Sequence, residues 1–200
     1  MFFLQVLISF VVVVTVLLLA LMVHWAVNKR RILANLRAVA PGLAGHVSAE
    51  GLFEYPRLTG TYRDRQVALF FRRSADGEGP RLTYQVVTLA ARTEISLLLL
   101  KTDFFKPAPA GTFAALRETS GAGSPWQIRS GDPDRATALS QQAAFQEPLT
   151  DLAHAVGLVL GPDSLVASVS YTDVAETNPD RVMKTIASLE AIAVVMERIS

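Results

Sequence analysis

The sequence predicts an α+β protein: an N-terminal transmembrane helix followed by an antiparallel sheet packed with C-terminal helices. Three observations carry this. Residues 2–27 contain no Asp, Glu, Lys or Arg, and the first charged side chain is Lys29. Between Arg57 and Lys101, short apolar runs alternate with turn signals, which is a strand pattern. Further on, Asp132-Pro133 and Asn178-Pro179 each place a capping side chain before a proline at the first helical position. Strands followed by helices, with no regular alternation between them, read as α+β.

The first element is the anchor, residues 1–28. At about 1.5 Å per residue its apolar run covers roughly 39 Å, enough to cross a ~30 Å hydrocarbon core with some tilt. A cleaved secretory signal is a poor match. Nothing charged precedes the run, the run is too long, and His24-Trp25 stands where small residues belong. Lys29, Arg30, Arg31 and Arg37 follow the span, whereas only the chain's own amino group precedes it. The positive-inside rule therefore expects an outer N-terminus and a cytoplasmic domain at a bacterial inner membrane. The chain has no cysteine, which is compatible with a reducing compartment.

Residues 29–44 read as a juxtamembrane basic amphipathic helix in or just below the headgroup layer. Ile32, Leu33, Leu36 and Val39 lie on one side, and Pro41-Gly42 ends it. Residues 45–200 are expected to form one soluble α+β domain. Its first feature is a hairpin, RLTGTYR, a tight Asp64-Arg65 turn, then QVALFFRR. A loop at 75–80 and two strands, RLTYQVVTL and EISLLLLK, follow. After them come a loop-rich stretch from Phe104 to Pro125 and a short strand at Trp126–Ile128. One helix is expected to start at Pro133. Another is expected to open at Pro148, carry Leu149, Leu152, Ala153 and Val156, and stop at Gly157. LVASVSY alternates as a strand, with Leu165, Ala167, Val169 and Tyr171 on one side. A last helix over 179–199 gathers Val182, Ile186, Leu189, Ala193 and Met196 on one face, and Lys184, Ser188, Glu190 and Arg198 fall away from it.

Sites of known chemistry are missing from this sequence. His24, His46 and His154 are far apart, and no zinc-ligand spacing is present. There is no phosphate-cradling glycine motif and no G-x-S-x-G elbow. The carboxylate pairs Asp132/Asp134 and Asp173/Glu176 stand at helix entrances, where capping explains them. The expectation is no catalytic residue, no metal and no enzymatic role.

Charge is unevenly spread. Residues 1–130 carry 15 Lys/Arg and 8 Asp/Glu, whereas residues 131–200 carry 4 and 10. In the first hairpin Arg57, Arg63, Arg65, Arg72 and Arg73 oppose only Asp64. Two uses are open: internal pairing with the acidic helices, or a basic face toward anionic lipid or an acidic partner. With Lys29, Arg30, Arg31 and Arg37 these arginines are the candidate partner or lipid contacts. Nucleic acid is not expected, because the basic residues lack interleaved stacking aromatics.

Ala20 and His24 are four apart on one helix face, with Trp25 adjacent. This Ala-x-x-x-His pattern resembles the chlorophyll-ligating helix of bacterial light-harvesting polypeptides, and the resemblance implies a pigment ligand at His24. An interfacial His–Trp pair is the plainer reading. The segment Leu58 to Val67 resembles the L-x-G-x-Y-R-x-R-x-V hairpin of bacterial single-span membrane proteins with a soluble α+β domain, which implies a fold and names no activity.

The function expected from the sequence is a non-catalytic accessory or scaffold subunit of a larger membrane complex, with a photosynthetic reaction-centre or light-harvesting assembly and a respiratory one both open. Its partners would be other subunits and the bilayer, and pigment or lipid could touch the anchor. The alternative is a membrane-tethered binding or sensor module that recognises anionic lipid or an acidic partner.

Overall fold

The apolar run and the basic segment behind it form one helix. α1 spans Phe2–Val39 without interruption, and a 3-10 turn over Ala40–Leu43, with Pro41 near its start, ends it. This is seen in a computed structural model that describes residues 2–49, 51, 54–74, 81–89, 93, 95–101, 117–119, 126–161 and 163–198. The loop expected at 75–80 and most of the loop-rich stretch after Phe104 lie outside the described residues.

Among the described residues nine strands form one antiparallel sheet: β1 (His46–Ser48), β2 (Arg57–Tyr62), β3 (Arg65–Ser74), β4 (Arg81–Leu89), β5 (Leu97–Lys101), β6 (Arg117–Thr119), β7 (Trp126–Ser130), β8 (Ala155–Leu160) and β9 (Ser164–Ser170). Their order is β1-β2-β3-β4-β9-β8-β5-β7-β6. The register produces one apolar row across eight of them. Val47, Leu58, Leu69, Val86, Ala167, Leu158, Leu99 and Ile128 are successive cross-strand partners. Directly opposed residues point to the same side of a sheet, so this row is one continuous floor, and all of it but the partly buried Val47 is buried. The other side, with Phe70, Val166 and Val159, is only half-buried.

Helices roof the buried side. α4 (Pro179–Glu197) lies over β4 and β9, α2 (Pro133–Ser140) meets β6 and β7, and α3 (Ala143–Asp151) packs on α4. The expected α+β architecture is therefore what the chain adopts. Asp132 accepts from the Arg135 amide at 3.1 Å and Asn178 from the Asp180 amide at 2.9 Å, so both proline-led starts are capped. In α4 the stripe Val182, Ile186, Leu189, Ala193 and Met196 is wholly buried.

Three local expectations are corrected. Pro148 sits inside α3, which begins at Ala143 and ends at Asp151. The residues expected to continue a helix to Gly157 instead enter β8. AVGLVL is a central strand between β5 and β9, and a short run apolar on both sides cannot be told from a buried helix by periodicity. In α4, Ser188 and Glu190 are buried at 5% and 7% exposure, because α1 and α3 flank the helix as well as the sheet beneath it. Within the loop-rich stretch, residues 117–119 form β6.

The hairpin turn centres one residue earlier than expected. Tyr62 pairs with Arg65, and Arg63 and Asp64 take φ of 47° and 66°, the two positive angles of a tight hairpin turn. Gly60 of the same hairpin is demanded by close approach. A Cβ there would come within 2.7 Å of the Leu43 carbonyl oxygen and 2.9 Å of Gly45 Cα, both backbone atoms that cannot swing aside. We expect Gly60→Ala to cost about 2 kcal/mol, within the range for overpacking, as measured by chemical denaturation of the detergent-solubilised chain. A neutral outcome would mean that the crossing of residues 43–45 over β2 is looser than described.

Candidate functional site

The site that stands out is the junction between α1 and the domain. Residues 3–23 and Val27 are exposed on α1, whereas Ile32, Leu36 and Val39 are buried at 0%, 0% and 2% exposure. The helix is long and apolar enough to cross a membrane, and none of its most apolar stretch is covered by the domain. From Val27 to Ile32 the helix rises by about 7.5 Å, roughly one headgroup layer. The segment expected to rest at the headgroups thus puts its apolar side into the domain core, and no linker separates the exposed apolar stretch from the fold.

Four rings mark the level of the junction. Trp25 on α1 meets Tyr55 edge-on at 4.7 Å, and Tyr55 stacks on Phe71 of β3 at 4.7 Å and 24°. Tyr171, just past β9, stands edge-on to Phe71 at 5.3 Å and to Tyr55 at 6.2 Å. Such pairs add about 0.5–1.5 kcal/mol each beyond their buried area. Burial, then the neighbouring Tyr55 and Asp173, push the Tyr171 hydroxyl up to about 12, so it stays neutral at any physiological pH. Polar contacts fasten the same junction. The Lys29 ammonium donates to the Gly51 carbonyl, tying the loop between β1 and β2 to the helix. Higher up, the Asn35 amide donates to Thr177 Oγ1 at 3.1 Å, and the Thr177 hydroxyl in turn donates to the Val174 carbonyl at 2.8 Å.

The candidate arginines divide by the end of the hairpin on which they lie. At the turn, Arg63 pairs with buried Glu190 at 3.1 Å. Arg65 forks onto Glu197 with two 2.7 Å bonds. The Glu197 hydrogen bond holds the Arg65 pKa above its ordinary value, against the lowering effect of burial. These two serve internal pairing with the acidic last helix. At the other end Arg57 is exposed with its guanidinium 5.9 Å from the Phe70 ring centre, and Arg72 is exposed. Arg73 follows in β3. Arg30, Arg31 and Arg37 are exposed on α1.

The histidines do not converge. His24 is exposed, and its Nε2 lies 2.8 Å from the Asn28 amide one turn on, so a nitrogen suited to ligate a pigment faces its own helix. His46 neighbours Thr59. His154 Nε2 lies 2.9 Å from Thr185 Oγ1, and burial followed by the Arg181 charge lowers its pKa. Among the described residues no three His, Asp or Glu side chains gather as a metal site. The aromatic cluster was not legible as a group in the sequence, because its members are scattered from position 25 to position 171. The one signal was Trp25 at the end of the apolar run.

No protein-family model matches the chain, and no curated protein does. Among solved structures, the crystal structure of the mycobacterial trehalose monomycolate transport factor A, TtfA, aligns with a TM-score of 0.61 at 13% identity. The alignment covers 86% of this chain and 95% of that one. The chain shares that protein's fold.

Tyr55 is the ring through which α1 reaches the sheet. We expect Tyr55→Ala to lower stability by about 2 kcal/mol, or Tm by roughly 6 °C. Its effect should be non-additive with Trp25→Ala by about 1 kcal/mol in a double-mutant cycle. Strict additivity would show that the Trp25–Tyr55 contact carries no coupling.

Proposed function

We propose that this protein is a non-catalytic accessory factor of a membrane transport assembly, held by one span and presenting its sheet domain directly at the membrane surface. The observation that carries the reading is the unbroken α1, whose lower part is exposed and apolar and whose upper part is core. A flexible tether would let the domain search the solution. A helix shared by span and core fixes its height and orientation instead, which suits a part that must meet other membrane components in register. The fold shared with a transport factor supports transport over the photosynthetic or respiratory assemblies that composition left open, and neither of those gains support from the fold. The positive charge that follows the span favours a cytoplasmic domain.

Extraction from native membranes in mild detergent, followed by native electrophoresis, tests the proposal. The chain should migrate within an assembly well above its own 21.7 kDa plus detergent, and tagged chain should carry the same integral membrane protein with it in repeated preparations. Migration as a lone species from native membranes would overturn the reading.

A further inference from the structure

We propose that the end of the sheet beside the exit of α1 is a seat for anionic lipid headgroups, with Arg57 and Arg72 of the sheet and Arg30 and Arg31 of the helix taking the phosphates. The inference rests on α1 as a membrane span and not on the identity of any assembly.

The ring ladder gauges depth. Trp25 ends the uncharged run, and through Tyr55 it is two ring contacts from Phe71. Arg72 follows Phe71 in β3, and Arg57 opens the neighbouring strand β2. Both therefore lie at the level where α1 leaves the apolar layer. The turn at Arg63-Asp64 lies at the far end of the same hairpin, eight residues or roughly 26 Å from Arg72 along β3. Arg37, twelve residues above Trp25, stands about 18 Å higher and is out of reach.

Pairing follows the same division. The distal arginines are spent on Glu190 and Glu197, whereas among the described residues neither Arg57 nor Arg72 meets a carboxylate. Among the described residues the opposing charges at this end are Glu54, which is exposed, and Asp173, which accepts from the Ala175 amide at 3.4 Å. Among the described residues, four guanidinium groups against these two carboxylates give a basic balance, and each basic side chain near an anionic bilayer gains roughly five-fold in local attraction. Guanidinium groups suit phosphate oxygens because they can donate two parallel bonds.

The absence of cysteine in the chain makes the test direct. The full chain carrying Thr172→Cys, next to the seat, or Asp64→Cys, at the distal turn, is labelled with a donor dye. It is then placed in nanodiscs of phosphatidylcholine with 30 mol% phosphatidylglycerol, with an acceptor on either headgroup. The label at 172 should transfer energy strongly and the label at 64 weakly. Transfer to labelled phosphatidylglycerol should exceed that to labelled phosphatidylcholine by about three-fold, falling to parity in high salt or in Arg57→Gln/Arg72→Gln. Equal transfer from both labels, or a preference unchanged by the arginine substitutions, overturns the seat while leaving the span intact. A chain that elutes apart from the discs overturns the span itself, and the seat with it.

Discussion

The structure depends on the burial of Ile32, Leu36 and Val39, the upper turns of a helix whose lower turns are too apolar for water. Side chains on those upper turns are core residues of the same kind as Leu58 or Leu189, at 0–2% exposure. Removing a buried Leu or Ile side chain costs about 2–5 kcal/mol, so peeling the helix from the domain costs a large part of a domain's typical stability. The consequence is mechanical. The exposed apolar stretch and the domain share one backbone rod, so in the proposed membrane setting the sheet's position over the bilayer is set by the fold.

Around that rod the chain is laid out economically. α1 runs from its exposed apolar end into the domain, β1 returns beside it, and the hairpin of β2 and β3 runs out and back again. The loop before β2 is thereby returned to the level of Trp25, where Tyr55 and the Lys29–Gly51 bond close the junction. At the upper end Gly45 and Gly60 let two backbone segments touch, which gives the glycine of the Leu58–Val67 motif a physical role. The acidic last helix then clasps the hairpin turn through Arg63 and Arg65.

Much of this was legible in the sequence where a pattern has one period and one buried side. The α4 stripe and the alternation of β9 are of that kind, and the capped starts at Asp132 and Asn178 have a local cause. β8 was not legible, because a strand whose residues are apolar on both sides loses its period. Glu190 was misplaced because an amphipathic projection cannot anticipate that neighbouring helices bury the flank of α4, nor that Arg63 would meet its carboxylate there. The division of the hairpin arginines was within reach, since a two-residue turn sends positions 63 and 65 to one end and 57 and 72 to the other. What the sequence could not show was which end of the hairpin lies beside Trp25 and the exposed stretch of α1. That follows from α1 running into the core, and from Trp25, Tyr55, Phe71 and Tyr171 meeting across 146 positions of chain.

The central claim is the rigid continuity of span and domain, and hydrogen exchange of the full chain in nanodiscs addresses it most directly. The amides from Asn28 to Ile32 bridge the exposed and the buried parts of α1. If the helix is one rod, they should be protected over the same timescale as those of Leu36 to Val39, because opening them requires opening the core. Exchange of residues 28–32 within seconds, with 36–39 still protected, would reveal a flexible linker at the membrane surface and contradict the account.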